Sequence, residues 1–127
     1  MKRVISLMLA ILFLVSGLAF AGQKGKIVVA ANGQTPEASV STQAGRAPFF
    51  LFFNNDGKLI ETLANPEKSA ANPGTAVAEF LAGKGATVVV AEGFGNKIVR
   101  VMKDKGMKAI AFKGSVEEAV KKVLQSK

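Results

Sequence analysis

Apolar residues occur along this chain in short runs, separated by polar turns rich in glycine, asparagine and proline. Five runs have the length of β-strands, and the last three alternate with segments whose apolar residues follow helical spacing. The strands are predicted at residues 26–31, 49–53, 58–63, 87–91 and 108–112. Residues 49–53 (FFLFF) are apolar at every position, which is typical of a central strand covered on both faces.

Three segments are predicted to form helices, and each has a start signal and an apolar face. The starts are Asn72-Pro73 for the first helix, Asn96 for the second, and a capping box of Ser115 with Glu118 for the third. Glycines at positions 83, 85 and 106 end the first two helices. The apolar faces are predicted to consist of Val77, Phe80 and Leu81, then Ile98, Val101 and Met102, and finally Val116, Ala119, Val120, Val123 and Leu124.

The connections between these elements predict how the strands pair. Residues 54–57 (NNDG) are a tight-turn sequence, so the second and third strands are expected to form an antiparallel hairpin. The helices after the third and fourth strands act as right-handed crossovers, which require parallel strands. The prediction is a single α/β domain with a mixed five-stranded sheet and three helices. Residues 34–48 have no apolar period and are predicted to be a long functional or mobile loop.

The first 21 residues have the pattern of a signal peptide. Lys2 and Arg3 precede an apolar run over residues 4–15, interrupted by Ser6, and Ala19 and Ala21 occupy the two small positions read by a signal peptidase. Cleavage after Ala21 leaves residues 22–127, a length suited to one domain in the periplasm or outside the cell. The alternative is that the segment is retained as a membrane anchor.

The chain is basic, with 17 Lys and Arg residues against 9 Asp and Glu residues. Lys2 and Arg3 belong to the predicted signal peptide, which leaves 15 basic and 9 acidic residues, a net charge of +6, in the remaining domain. Such an excess fits an anionic partner, and it equally fits a soluble surface without a specific partner.

The residue inventory excludes several kinds of site. The chain has no Cys, His, Tyr or Trp. Serine and cysteine nucleophiles activated by histidine, zinc sites of Cys and His, and thiolate-held iron–sulfur clusters are therefore impossible. The first strand carries no carboxylate for two-metal nuclease chemistry, and the basic residues are not interleaved with aromatic ones. Enzymatic activity and nucleic-acid binding are both disfavoured.

An ordered set of motifs runs along the chain from the loop before the second strand to the start of the last helix. The motifs are Val40-Ser41 with Gly45-Arg46-Ala47-Pro48-Phe49-Phe50, Asn65-Pro66, Gly74, Leu81 with Gly85 and Val88-Val89-Val90, Glu92-Gly93-Phe94-Gly95, and Gly114-Ser115-Val116-Glu117-Glu118-Ala119. Together they resemble the dinitrogenase iron–molybdenum cofactor biosynthesis family, the nitrogenase accessory factor group. The resemblance covers almost all of residues 26–124, with the motif spacing intact.

The resemblance implies a ribonuclease H-like motif with strand order 3-2-1-4-5 and strand two antiparallel. It also implies a role in binding, carrying or storing iron–molybdenum cofactor, its precursors or other anionic molybdenum–sulfur clusters. This chain departs from the family pattern at Asn96, where the family usually has proline. It also lacks the Cys or His that a covalently bound cluster needs, so the nitrogenase role itself does not follow.

The predicted topology gathers several loops at one edge of the sheet, where strands one and four lie side by side and ligands of open α/β sheets bind. The residues predicted to contact a ligand there are Asn32, Ser41, Arg46, Gly93, Gly95, Asn96 and Lys97. The start of the second helix supplies N–H groups and a positive dipole end, Arg46 supplies a planar cation, and the glycines allow close backbone approach.

Each of these residues also has a structural interpretation. Gly93 and Gly95 also fit ordinary turn glycines, and Arg46 also fits an ion pair with a carboxylate such as Glu92. Lys97 also fits the solvated face of the second helix, together with Arg100, Lys103 and Lys105.

The leading functional prediction is an exported, non-catalytic module that binds a small anion without covalent ligands. The anion is a metal–sulfur species of molybdenum, iron or copper, or an oxyanion. The competing hypothesis is an accessory module that uses the same edge to dock a protein partner and holds no small ligand.

Overall fold

In the computed structural model, residues 25–126 are described, and they contain five strands and three helices. The strands are β1 (Lys26–Ala31), β2 (Phe49–Phe53), β3 (Leu59–Ala64), β4 (Ala86–Ala91) and β5 (Lys108–Ala111). The helices are α1 (Pro73–Gly83), α2 (Asn96–Asp104) and α3 (Val116–Gln125). Every predicted element is present, and the ends of β3, β4 and β5 differ from prediction by one residue. The predicted signal peptide lies outside the described residues.

The five strands form one mixed sheet in the order β3-β2-β1-β4-β5. β2 is antiparallel to both β1 and β3, whereas β1 with β4 and β4 with β5 pair in parallel. This confirms the predicted α/β class, strand order and direction of strand two. From the central pair, the chain leaves β1 toward β2 and leaves β4 toward β5, in opposite directions along the strand order. The switch point therefore lies between the carboxyl ends of β1 and β4.

The sheet is covered by α1 and α2 on one face and by α3 on the other. Strand alternation divides the core accordingly, because Phe50 and Phe52 pack toward α1 and α2 while Leu51 and Phe53 pack toward α3. Both phenylalanines of the first pair are fully buried, and each contributes about 1.5–3 kcal/mol through removal of apolar surface from water. The prediction of a strand covered on both faces is confirmed.

The long loop between β1 and β2 is more ordered than its polar composition predicts. Val40 bridges Ala31, and Ser39 bridges Ser115, so the loop first runs back along the sheet. Its small apolar residues Val40, Ala44 and Ala47 are fully buried. Their spacing of four and three residues matches a helix, but two of the three are alanines in a segment of polar residues, glycine and proline, and this is why the sequence pattern did not mark them as buried.

The helix starts agree with prediction at α3 and differ at α1 and α2. Ser115 Oγ accepts from the Glu118 N–H at 3.1 Å, and the Glu118 carboxylate accepts from the Ser115 N–H at 3.0 Å, which confirms the capping box. Asn72 occupies the N-cap position of α1, but its side chain makes no capping bond. The predicted cap at Asn96 is wrong by one position, because Gly95 is the N-cap and Asn96 is the first helical residue.

Within residues 25–126, none of the helices has the length and apolar character needed to cross a bilayer.

Candidate anion-binding site

An open cleft of about 520 Å³ lies beyond the carboxyl end of β4, at the switch point of the sheet. Its volume is within the range of roughly 300–1,000 Å³ seen for small-molecule sites. Three segments line it: the loop before β2 contributes Thr42, Gln43, Gly45 and Arg46, the start of α1 contributes Asn72, Pro73 and Gly74, and the turn into α2 contributes Gly93, Phe94, Gly95, Asn96, Lys97 and Ile98.

Backbone hydrogen bonds hold the first of these segments against the third. The Glu92 N–H donates to the Ser41 carbonyl at 2.9 Å, and the Ala44 N–H donates to the Gly93 carbonyl at 3.2 Å. A Cβ at Gly93 would lie 3.1 Å from the Thr42 carbonyl oxygen, so glycine permits this approach. Gly93 therefore has a packing role in the wall of the cleft.

The amino-terminal ends of α1 and α2 meet at the cleft. A Cβ at Gly74, in the first turn of α1, would lie 3.3 Å from Ile98 Cβ and 3.4 Å from the Ile98 backbone nitrogen. Gly45 is similarly close, since a Cβ there would lie 3.3 Å from the Gly74 nitrogen. Small residues thus bring two helix starts and the Arg46 loop into direct contact.

Neither of these two helices is capped in the usual way. Both α1 and α2 lack a side-chain capping bond and have no acidic residue in the first turn. The first backbone bond of α2 runs from the Val99 N–H to the Gly95 carbonyl, and that of α1 runs from Ala76 to Asn72. The N–H groups ahead of Val99 and Ala76 have no partner within their own helix. By contrast, α3 has both the capping box and Glu117 and Glu118.

Two cationic side chains border the cleft, and no carboxylate is among its lining residues. One N–H of the Arg46 guanidinium donates to the Lys68 carbonyl at 2.9 Å, which leaves four of its five donors available. The anticipated alternative, an ion pair with Glu92, is not formed: within residues 25–126 the ion pair joins Lys84 and Glu61. Lys97 Nζ donates to Asn72 Oδ1 at 3.2 Å.

Two predicted ligand contacts lie outside the cleft lining. Ser41 is buried, and its hydroxyl both donates to the Gln43 carbonyl and accepts from the Gln43 N–H, so it shapes the turn that leads to the cleft. Asn32 is exposed, and its amide donates to Ser39 Oγ at 2.8 Å. The structure thus brings together Arg46, Gly93, Gly95, Asn96 and Lys97, and it does not bring Asn32 or Ser41 to the same surface.

Asn65 is a residue that sequence reasoning did not select for the site. Its side chain is buried just after β3 and bonds to the backbone on both sides of Arg46. The available signal was its place in the Asn65-Pro66 motif at the edge where the loops gather. Nothing in the local pattern shows that its partners are 18 and 20 residues away.

The donor set suits an anion held by hydrogen bonds and charge better than a directly ligated metal. The described residues contain no group of three or more Asp, Glu, His or Cys side chains able to hold a metal ion. The whole chain has neither Cys nor His. Backbone N–H groups, helix dipoles and a guanidinium are instead the elements that bind phosphate-like and other compact anions.

The family profile described as dinitrogenase iron-molybdenum cofactor matches residues 25–126. The chain belongs to this family. The match covers all five strands and all three helices, and it confirms the resemblance carried by the motifs. Members are of an accessory or carrier type related to the iron–molybdenum cofactor. No curated protein matches the chain.

Solved structures share the fold. The apo form of the orange protein from Desulfovibrio gigas superposes with a TM-score of 0.75 at 25% identity, over 81% of this chain and 89% of that one. A NifB-like Thermotoga protein of the DUF35 family gives a TM-score of 0.69 at 24% identity, over 80% and 88% of the two chains. A dinitrogenase-like protein from Methanocaldococcus jannaschii gives 0.60 at 8% identity, over 81% and 90%. The last two show similarity of fold alone.

Proposed function

We propose that this protein is an exported, non-catalytic module that binds a small anion in the cleft. The observation that carries the proposal is the meeting of two uncapped helix starts beside Arg46 and Lys97, in a cleft that no carboxylate lines. The family membership supports a metal–sulfur cluster as the cargo, and an oxyanion has the same charge and hydrogen-bonding chemistry. Either would be held without a covalent ligand.

The magnitudes are sufficient for specific binding only if the groups act together. Each helix dipole contributes about 0.3–1 kcal/mol, and each hydrogen bond to a charged group contributes about 1.5–3 kcal/mol. Two of each give about 4–8 kcal/mol, which corresponds to a Kd between millimolar and micromolar. The entropy cost of association makes the affinity weaker than this. Loss of any one group is therefore measurable.

The direct test is a titration of residues 22–127 with tetrathiomolybdate, molybdate, sulfate and phosphate, followed by calorimetry and by backbone NMR shifts. We expect saturable binding of at least one anion, with shifts concentrated at residues 42–46, 74–75 and 95–98. Arg46→Gln should weaken binding about tenfold or more, because it removes a charge-assisted contact. Arg100→Gln is the matched control, since Arg100 is exposed on α2 and does not line the cleft.

Equal losses in the two arginine variants would show a general charge effect and contradict a site at Arg46. Absence of binding for all four anions would count against an oxyanion or thiometallate ligand. Elemental analysis and an absorption spectrum of the protein, purified anaerobically from its own source, then test for a preassembled cluster. Stoichiometric molybdenum, iron or copper with sulfide supports the carrier proposal.

Export is part of the proposal and has its own test. The support is the pattern of residues 1–21, with its basic start, apolar run and small residues at positions 19 and 21. Intact mass measurement of the protein from cell fractions should find a chain that begins at Gly22 in the periplasm or medium. A full-length chain in the membrane fraction would favour a retained anchor.

A protein-docking role is the second candidate, and two exposed side chains favour it on β3, away from the cleft edge where the sequence predicted it. Leu59 and Ile60 are 36% and 47% exposed on β3, which is an edge strand of the sheet. Apolar residues on an open strand edge are suited to contact another chain. This role predicts a partner whose capture is lost in Ile60→Lys and retained in Arg46→Gln.

A further inference from the structure

We infer that Asn65 is the positioning residue for Arg46, a role that rests on the proposed anion site. Arg46 is exposed, and its side chain has many rotamers, so its value in a binding site depends on how well it is held before the ligand arrives. The contacts of Asn65 restrain both the backbone that carries Arg46 and the group that its guanidinium contacts.

The first restraint acts on the backbone of the Arg46 loop. Asn65 is 8% exposed, and its Nδ2 donates to the Gly45 carbonyl at 3.1 Å and to the Ala47 carbonyl at 3.0 Å. These carbonyls flank Arg46 on either side. The Asn65 backbone N–H also donates to the Pro48 carbonyl at 3.0 Å. One residue thus fixes the loop at three carbonyls around Arg46, those of residues 45, 47 and 48.

The second restraint acts on the acceptor for the guanidinium. Asn65 Oδ1 accepts from the Glu67 N–H at 2.8 Å and so holds the turn after β3. The next residue in that turn is Lys68, whose carbonyl accepts from Arg46 Nη1 at 2.9 Å. The Asn65 amide therefore links the two ends of Arg46. Its nitrogen holds the backbone beside Arg46, and its oxygen holds the turn whose carbonyl accepts from the Arg46 guanidinium.

An amide at position 65 is chemically suited to this task. The geometry uses two donors and one acceptor on a short side chain, and asparagine supplies all three. Alanine supplies none, and serine supplies one donor on a shorter stem. Both amide N–H groups are already used within the protein, so Asn65 acts on the ligand through Arg46 and not by direct contact.

The experiment compares Asn65→Ala with Asn54→Ala on residues 22–127. Asn54 is a matched control because its Oδ1 holds the turn at the other end of β2, accepting from the Asp56 and Lys58 N–H groups at 2.9 and 3.0 Å. Both variants should lower stability, and only Asn65→Ala should weaken binding of tetrathiomolybdate or molybdate, by about tenfold for one displaced charge-assisted contact. Equal affinities for the two variants would overturn the inference.

A double-mutant cycle tests whether Asn65 acts through Arg46. In the Arg46→Gln background, Asn65→Ala should produce little further loss of affinity, because the group it positions is already absent. A loss as large as in the wild-type background would show that Asn65 acts independently, and would overturn the assignment. Asn65→Ser provides a second variant with a smaller structural change, in case Asn65→Ala does not fold.

A ligand-free readout separates this inference from the proposed function. Residues 22–127 contain two arginines, Arg46 and Arg100, so their side-chain Nε–Hε signals are readily assigned by NMR. The Arg46 signal should be ordered in the wild-type protein and become mobile in Asn65→Ser, while the Arg100 signal stays unchanged. An unchanged Arg46 signal contradicts positioning by Asn65, whereas failure of every anion to bind contradicts the proposed function alone.

Discussion

Lys97 Nζ donates to Asn72 Oδ1 at 3.2 Å, so a side chain from the first turn of α2 reaches the residue that precedes α1. This contact explains why the predicted Asn72 cap is absent. The amide oxygen that would accept from the first turn of α1 faces an ammonium group instead, and the α1 N–H groups are left for another acceptor. Two helix starts and a cation are thereby joined across the cleft.

Replacement of Lys97 by glutamine should weaken anion binding about fivefold, because an exposed charge contributes up to about 1 kcal/mol. It should also reduce the dependence of affinity on salt, since one screened charge is removed. Calorimetric titration at two ionic strengths measures both effects. Lys103→Gln, on the exposed part of the same helix, is the control and should bind like the wild-type protein. Identical losses in both variants would assign Lys97 to the general basic surface.

Gly95→Asp should raise the stability of the protein and weaken its binding of anions. Gly95 is the α2 N-cap with φ −77° and ψ 164°, and a Cβ there meets nothing within 4 Å, so an aspartate fits. Aspartate is a better N-cap than glycine by a few tenths of a kcal/mol. Its negative charge beside the positive end of the helix dipole adds about 0.3–1 kcal/mol to the free energy of unfolding. The same carboxylate should compete with an anionic ligand and lower its affinity at least tenfold, as a charge-assisted contact is lost.

Denaturant unfolding and anion titration of the same Gly95→Asp sample measure these opposite effects. Gly95→Asn is the matched variant, because it caps the helix without adding a charge and should retain more affinity. Unimpaired anion binding by Gly95→Asp would rule out the α2 start as part of the site.

Two glycines of α1 should respond differently to alanine. Alanine is favoured over glycine in the middle of a helix by about 0.5–1 kcal/mol, and a smaller part of this gain is expected at Gly83, the last residue of α1, which has no atom within 4 Å of its missing Cβ. Gly83→Ala should therefore raise the free energy of unfolding and leave anion binding unchanged. Gly74→Ala should gain less or lose stability and should weaken binding, because its Cβ crowds Ile98 and separates the two helix starts. Denaturant midpoints and titrations compare the two, and equal behaviour would contradict close helix packing at Gly74.

The fold could be predicted because its signals are local and agree with one another. The run at residues 49–53, the turn at residues 54–57 and the Ser115 capping box each specify one element, and the crossover rule then determines the sheet. The α2 start was misplaced by one residue because Asn96 is a better N-cap by propensity than Gly95. At this position the uncapped helix start contributes to the candidate site.

The candidate site could be predicted in part. Topology brought the Arg46 loop to the turn at residues 93–97, since both lie at the edge where β1 and β4 end. Asn32 lies on the same edge, but the bridge between Val40 and Ala31 carries the loop across and leaves Asn32 outside the cleft. The role of Asn65 depends on contacts with residues distant in sequence, which composition and periodicity do not encode.

The capping box of α3 should make stability depend on pH through Glu118. The hydrogen bond from the Ser115 backbone N–H, then the Ser115 side chain and the charge of Lys121, hold the pKa of this carboxyl below its ordinary value. A lowered folded-state pKa means that the contribution to stability is complete above the ordinary glutamate pKa of about 4.3 and is lost as pH falls through the folded-state value. Glu118→Gln should remove this component of the pH dependence.

Denaturant midpoints of the wild-type protein and Glu118→Gln between about pH 6 and pH 3 give the comparison. The difference in midpoint between the wild-type protein and Glu118→Gln should become smaller as the pH falls, because the wild-type carboxylate becomes protonated and loses its charge-assisted bonds to Ser115. Glu117→Gln is the control, since Glu117 lies in the same turn but outside the capping box. A constant difference across this range would show that Glu118 stabilises α3 by packing and not as a carboxylate.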